Sequence, residues 1–402
     1  MSMQPVLRFK TNAYALKAWD KTHLSQIATV TMGQSPSSDA YNEEYEGLPL
    51  IQGNADIVDG FTKPSRYTTE VTKRCQEGDV ILSVRAPVGE LGIASEESCI
   101  GRGVCAIRAS DKSDTAFIYQ LLQAKKKHWK TLEQGSTFTA VSGEDVKAFE
   151  VAVPTKEEQQ KIAAFFTALD EKITLTEKAL VLTERTTKVV LEKIYKGELR
   201  FKQSNGASFP DWQVRKLDQL LKFQNGINAS KEQFGTGIKL ISVKEVLSDV
   251  PVTYDSIASS IEVDDEEAKR FSVEYGDIVF QRSSETAEEA GSANVYLDSR
   301  PAVFGGFVIR GRKIADYHPQ FMKMALRSKQ VRRQIVRLAQ GAQHVNIGQE
   351  QLSSVEVQLP CLAEQEKIAE LINNFEHKKA TLLARLNKLK RLKQAFMQQM
   401  FV

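Results

Sequence analysis

Two stretches of the chain repeat apolar residues with the alternating four-and-three step of helices that pack against another helix. In the first, Ile162, Phe166, Leu169, Ile173, Leu180, Val190 and Ile194 share the frame with Thr176, Thr183 and Thr187. In the second, Ile368, Ile372, Phe375, Leu382, Leu386, Leu389, Phe396 and Met400 share it with Lys379 and Lys393. No proline interrupts either run. Pro154 and Pro360 stand just before them, as breakers after which a helix can start. About forty residues at ~1.5 Å each make a helix roughly 60 Å long, which overruns a small domain. The pattern therefore predicts long spacer helices over 155–196 and 361–402, paired as an antiparallel coiled coil. Such a pair would put the rest of the chain at opposite ends.

The remaining segments, 1–154 and 197–360, read as strand-rich. Short apolar runs between turn residues lie at 80–84, 104–107 and 151–153, and again at 278–280, 307–309 and 355–357. One further helix is expected in each segment, over about 115–132 and 318–339. The fold class expected is α+β: two globular domains of mixed or antiparallel sheet and helices, joined by the two long helices.

The two halves are copies of one another. Val153-Pro154-Thr155-Lys156-Glu157-Glu158-Gln159-Gln160-Lys161-Ile162-Ala163 recurs as Leu359-Pro360-Cys361-Leu362-Ala363-Glu364-Gln365-Glu366-Lys367-Ile368-Ala369. Upstream the match continues at a drifting offset. Trp19, Leu24 and Gly33 correspond to Trp212, Leu217 and Gly226, and Gly78-Asp79-Val80-Ile81 to Gly276-Asp277-Ile278-Val279. Ile107-Arg108 is matched with Ile309-Arg310, and Gln134-Gly135 with Gln340-Gly341. Drift of this kind means loop insertions around one scaffold, a pseudo-two-fold internal repeat.

Composition narrows the class little. The 402 residues are 42% hydrophobic and 26% charged, an ordinary globular mixture. No apolar run reaches the ~18–20 residues that span a bilayer, and the first residues lack a signal peptide's apolar block. The expectation is a cytoplasmic protein without membrane association. Cys75, Cys99, Cys105 and Cys361 have spacings that fit neither a zinc site nor a disulfide framework. The five histidines are dispersed, and the chain lacks a phosphate-binding G-x-x-x-x-G-K-[ST] loop, a G-x-S-x-G elbow, an H-E-x-x-H pair and any Pro-Pro. Acidic-plus-lysine groups at Asp170-Glu171-Lys172 and Glu376-His377-Lys378 fall on the long helices, whose solvated faces must be charged anyway. The chain reads as non-catalytic, with no metal and no cofactor of its own.

Net charge is +3, which is low for a nucleic-acid binder, but it averages over opposing regions. Lys125, Lys126, Lys127, His128 and Lys130 cluster on the first expected helix before a Gln-Gly pair. Lys323, Arg327, Lys329, Arg332, Arg333 and Arg337 cluster on its counterpart. Matched basic helices are candidate phosphate-contact surfaces. Base edges are read by Arg, Asn and Gln side chains. Polar loops offer these at Gln34-Ser35, Gln52-Gly53-Asn54, Arg85 and Arg102 in the first half. The second half offers Gln281-Arg282 and Gln343-His344-Val345-Asn346. The loops differ between halves, so the two would read different sequences.

With these parts in order, the chain resembles the specificity (S) subunit of Type I restriction–modification systems over essentially its whole length. The residues that carry the likeness are Pro154…Glu158-Gln159-Gln160-Lys161-Ile162 and Pro360…Glu364-Gln365-Glu366-Lys367-Ile368. Gly33-Gln34-Ser35-Pro36, Gly78-Asp79-Val80-Ile81, Arg85-Ala86-Pro87-Val88-Gly89 and Gln134-Gly135-Ser136 add to it. Arg282-Ser283-Ser284 departs from the first-half pattern at Arg85-Ala86-Pro87. The resemblance implies a DNA-reading subunit whose two target-recognition domains each contact half of a split, asymmetric double-stranded target. It implies that the paired helices dock two methyltransferase (M) subunits, which bind S-adenosylmethionine and methylate adenine. Restriction/translocase (R) subunits would cleave unmodified DNA. Two other classes remain open at this point: a stand-alone two-domain DNA-binding regulator, and a coiled-coil interaction scaffold.

Overall fold

The computed structural model describes residues 4–9, 18–129, 140–341 and 344–401. The chain packs as two units, Met1–Lys178 with Leu383–Val402, and Ala179–Leu382.

The first unit is built on β1 (Ala28–Met32), β2 (Val80–Ser83), β3 (Leu91–Ile93) and β4 (Val104–Ala109). They lie side by side in the order β1-β4-β2-β3 with antiparallel neighbours. Phe61 joins this sheet in parallel with Ile93. A second mixed sheet pairs Leu48–Ile51 in parallel with Ser98–Ile100. β2 is buried on both faces, which is why it reads as an unbroken apolar run. Its period of two sends Val80 and Leu82 into one apolar cluster and Ile81 into another. Helix α1 (Thr115–Ala124) starts where the Asp114 carboxylate accepts the Phe117 N–H at 2.9 Å. It covers the sheet with Phe117 and Leu121.

The second unit repeats the plan. Strands β5 (Leu221–Asn225), β6 (Ile278–Gln281), β7 (Ala293–Val295) and β8 (Val308–Lys313) stand in the order β5-β8-β6-β7, again antiparallel. Ile278 and Phe280 face one cluster and Val279 the other.

Register corrects one correspondence drawn from sequence. Val80 lies opposite Ile107, and its counterpart Ile278 lies opposite Gly311. Arg108 therefore matches Arg312, two residues beyond Arg310. Chemistry agrees: Arg108 pairs with Asp79 at 2.7 Å, and Arg312 pairs with Asp277 at 3.3 Å. Arg310 instead is a buried arginine that lies against Phe304.

The single helices expected before the Gln-Gly pairs are both interrupted. α1 ends at Ala124, Lys125 is a turn, and residues 126–129 are helical again. The second-half segment is two helices, α3 (Pro319–Arg327) and α4 (Lys329–Leu338). They break at Ser328, whose extended backbone ends α3 and whose hydroxyl accepts the Val331 N–H at 3.3 Å to cap α4.

The two long helices are present as α2 (Lys156–Tyr195) and α5 (Leu362–Met400). None of the heptad positions is fully exposed. Ile162, Phe166, Leu169, Ile194, Ile368, Ile372, Leu386 and Met400 are buried, while Ile173, Leu180, Phe375, Leu382 and Leu389 are half-buried. Thr176 and Thr183 are buried, and their hydroxyls are satisfied by donating back to the carbonyls of Lys172 and Ala179, at 2.7 and 2.8 Å. Within the first unit the helices pair antiparallel, Glu177 with Lys390 and Asp170 with Lys393 at 2.7 and 2.6 Å. Within the second, Glu184 pairs with Lys379 at 2.8 Å, and Ile194 shares a core with Ile368 and Ile372.

The repeated Glu-Gln of each helix start has a structural cause. Glu158 and Glu364 are buried carboxylates held by Arg8 and Arg200, at 2.6 and 2.8 Å. Gln159 donates to the Pro154 carbonyl at 3.0 Å and accepts the Asp114 N–H at 3.0 Å. Gln365 does the same with Pro360 and His318, both at 2.8 Å. Each pair ties the long helix to the start of the sheet-covering helix.

Candidate nucleic-acid interface

In the first unit, four polar loops are drawn to one place by backbone. β1 runs out into Gly33, whose N–H donates to the Val104 carbonyl at 3.0 Å, and the Gln34 N–H donates to the Ile100 carbonyl at 2.9 Å. A Cβ on Gly33 would lie 2.1 Å from the Gly101 oxygen, so only glycine permits this approach. The Gly101 N–H donates to the Ile51 carbonyl at 2.8 Å, which brings in the next loop. There the Asp56 carboxylate accepts the N–H groups of Gln52 and Gly53, at 2.7 and 3.2 Å. The Val84 N–H donates to the Gly103 carbonyl at 2.9 Å and so sets Arg85 beside them.

The result is an open cleft of about 620 Å³ lined by Ser35, Gln52, Asn54, Arg85 and Arg102, with Tyr41 on its wall. Five candidates from four loops thus share one surface. Gln34 is exposed nearby. Ser35 contributes a hydroxyl that accepts the Arg102 N–H at 3.2 Å. Among the described residues that line the cleft there is no carboxylate.

The second unit uses the same frame. The Gly226 N–H reaches the Val308 carbonyl at 3.2 Å, Ile227 reaches Phe304 at 2.9 Å, Gly305 reaches Ile241 at 3.0 Å, and Arg282 reaches Phe307 at 2.8 Å. Position by position, Gly305-Gly306-Phe307 replaces Gly101-Arg102-Gly103, and Arg282 stands in the place of Val84. The sequence alignment of Arg282 with Arg85 is therefore off by one; the counterpart of Arg85 is Ser283. Ser283 pairs with Asn346 across a short antiparallel ladder, as Arg85 bridges to Ala140. Arg282 is half-buried, with Nη1 3.4 Å from the Gly306 carbonyl. His344 and Asn346 are exposed. Gln281 is set apart: it is 3% exposed and donates to the Ser283 carbonyl at 2.9 Å. Lys130, Gln343 and the Gln134-Gly135 pair lie outside the described residues.

Two residues at this end escaped the sequence reading. Phe307 is 69% exposed on the loop equivalent to Arg102's. Asn228 follows Gly226 as Ser35 follows Gly33, so the glycine correspondence was a usable signal for it.

The basic clusters are partly committed to the protein itself. Lys126 pairs with Glu90 at 2.7 Å, Lys125 is half-buried and Lys127 is exposed. In the second unit, Lys323 is buried, donates to the Asp249 carbonyl, and is pushed down to about 8 by that burial. Arg327 donates to the Ser248 carbonyl at 2.6 Å, and Arg332 to those of Glu288 and Ala290, at 2.7 and 2.8 Å. Lys329 pairs with Glu192 at 3.1 Å. Arg333 and Arg337 are exposed and line a groove of about 930 Å³ beside α2.

Among the described residues, no group of three or more His, Cys, Asp or Glu could hold a metal ion. None of their helices is long and apolar enough to cross a membrane.

Comparison with known proteins agrees with this architecture. The chain is 34% identical over 174 residues to a protein named for the specificity subunit of the type I restriction enzyme MjaX of Methanocaldococcus jannaschii. That match covers 43% of this chain and 41% of the relative, so it spans less than half of that protein's length. The MjaIX specificity subunit of the same organism is 26% identical over 301 residues, 68% of each chain. The crystal structure of the S subunit of a Type I restriction–modification system from M. genitalium shares the fold, with a TM-score of 0.61 at 15% identity, covering 100% of this chain and 99% of that one. The model of the Type I restriction modification DNA specificity domain matches residues 17–183 and again 210–391, so the chain belongs to that family and carries the domain twice.

Proposed function

We propose that this chain is the DNA-reading specificity subunit of a Type I restriction–modification complex. Each unit reads one half of a split, asymmetric duplex target through the loops at the open end of its sheet. The observation that carries this reading is the cleft itself. Ser35, Gln52, Asn54, Arg85 and Arg102 converge on it from four separate segments, with donors and acceptors suited to base edges. The chemistry belongs to partners: two methyltransferase subunits that bind S-adenosylmethionine and methylate adenine, and restriction/translocase subunits that cleave unmodified DNA. Helices α2 and α5 dock the methyltransferases and set the spacer between the half-sites. Such a complex works on cytoplasmic DNA.

Co-purification with the methyltransferase followed by duplex binding tests the reading. Sequence-dependent retention of one duplex over scrambled duplexes is the expected result. No affinity for any duplex, with the methyltransferase present, would leave a protein-interaction scaffold in its place.

Phosphate contacts are proposed for Lys125, Lys126 and Lys127 of the first unit and for the exposed Arg333 and Arg337 of the second. Replacing Lys125, Lys126 and Lys127 together by Ala is expected to weaken binding to all duplexes alike. It should also flatten the dependence of affinity on salt, because fewer counterions are released. A salt slope equal to the wild type's would remove these lysines from the interface.

A further inference from the structure

The two units share a frame but differ in what they place at its open end, and that difference carries information. Residues that hold the frame recur at equivalent positions. Gly33 and Gly226 each meet a glycine carbonyl where a Cβ would go, at 2.1 and 2.2 Å. Gly101 and Gly305 each donate to an isoleucine carbonyl. Asp79 with Arg108 recurs as Asp277 with Arg312.

A phosphodiester is the same at every step of a duplex, so it holds register without carrying sequence. Groups that grip phosphate should therefore recur in two readers borne by one chain. Groups that read the base edges of an asymmetric target must differ. Arg85 and Arg102 belong to the second class, since Ser283 and Gly306 stand in their places. Glycine has no side chain with which to hold a phosphate as an arginine does, and serine offers one hydroxyl without the positive charge.

Both arginines are exposed, and both line the cleft that has no carboxylate among its described lining residues. Neither guanidinium takes part in an ion pair among the described residues. Two uncompensated forks of N–H donors thus share a surface with the carboxamides of Gln52 and Asn54. The guanidinium fork matches guanine O6 and N7 in the major groove, the commonest specific contact, whereas carboxamides match adenine. We infer that Arg85 and Arg102 read guanine in the half-site of the first unit, and that the half-site of the second unit is read without a counterpart of either. This inference rests on the chain being a DNA-reading subunit.

The test is methylome sequencing of cells that make the full complex, with wild type, Arg85→Ala and Arg102→Ala compared. The wild type should methylate a split motif with guanine in one half. Each variant should lose preference for guanine at one position of that half, with discrimination falling roughly 5- to 150-fold. The other half-site and the spacer should stay as in the wild type, which also shows that the variant complex is folded. An unchanged motif with methylation lowered throughout, together with a flatter salt dependence, would make these arginines phosphate contacts and overturn the inference. Loss of preference in both half-sites would overturn it as well. A wild-type motif in which the altered half has no guanine would do the same while leaving the DNA-reading role intact. A wild-type complex that methylates no split motif would bring down the underlying reading instead.

Discussion

Replacing Arg200 by Ala is expected to destabilise the second unit by about 3–5 kcal/mol, the range for stripping one partner from a buried ion pair. Glu364, its carboxylate partner, is fully buried. Arg200 reaches it twice, Nη2 to Oε2 at 2.8 Å and Nε to Oε1 at 3.2 Å. Without the guanidinium, the carboxylate keeps the Trp212 indole N–H at 3.1 Å but no cation. The carbonyls of Phe209 and Pro210 also lose the donor they share. Trp212 is the one tryptophan of the second unit and touches Glu364, so in a chain whose Trp19 and Trp129 are replaced by Phe its fluorescence in a urea titration reports this unit separately. Arg215→Ala is the control, since among the described residues its exposed side chain bonds only Gln213, and it should cost less than about 0.5 kcal/mol. A loss below about 1 kcal/mol for Arg200→Ala would show that Glu364 rehydrates or protonates without the arginine. The repeated Glu-Gln motif would then not be explained by this clamp.

A heptad-breaking insertion of four residues within 183–188 of α2 is expected to change the spacer between half-sites while leaving both half-sites as they are. Thr183 is buried in the helix pairing, and Glu184 pairs with Lys379 of α5, so the inserted turn falls inside the paired region. Four helical residues advance the chain by ~6 Å. A base pair rises ~3.4 Å, so the preferred spacer should move by about one to two base pairs. Methylation of the same half-sites at the old spacer alone would sink the idea that the helices measure it. Loss of one half-site would place the damage in a reading unit.

Much of this fold was legible because its strongest signals are periodic. A stripe of Ile162, Phe166 and Leu169 can be satisfied only by packing one face, so the heptads pointed to buried positions before any coordinates. The repeat was legible through Pro154 and Pro360 because the glutamine after each plays one structural part twice. Strand register was harder to read. Arg282 looks like the match of Arg85, yet it sits one place earlier in the strand frame, and on a strand one place changes the face presented. The second-half charge cluster was only partly legible, for a related reason. Lys323, Arg327 and Arg332 look like a solvated basic face, but carbonyls at Asp249, Ser248 and Glu288 come from distant loops that no local pattern announces. The loops of the first-unit cleft were found singly by composition, while their convergence depended on the glycine contacts at Gly33 and Gly101.

The central claim is that two different readers in one chain address two different half-sites. Methylome sequencing of cells making wild-type chain with its methyltransferase tests this most directly. One motif of two dissimilar half-sites with a fixed spacer, methylated at adenine, is the expected result. A continuous motif, two identical half-sites, or no methylated motif at all would contradict it.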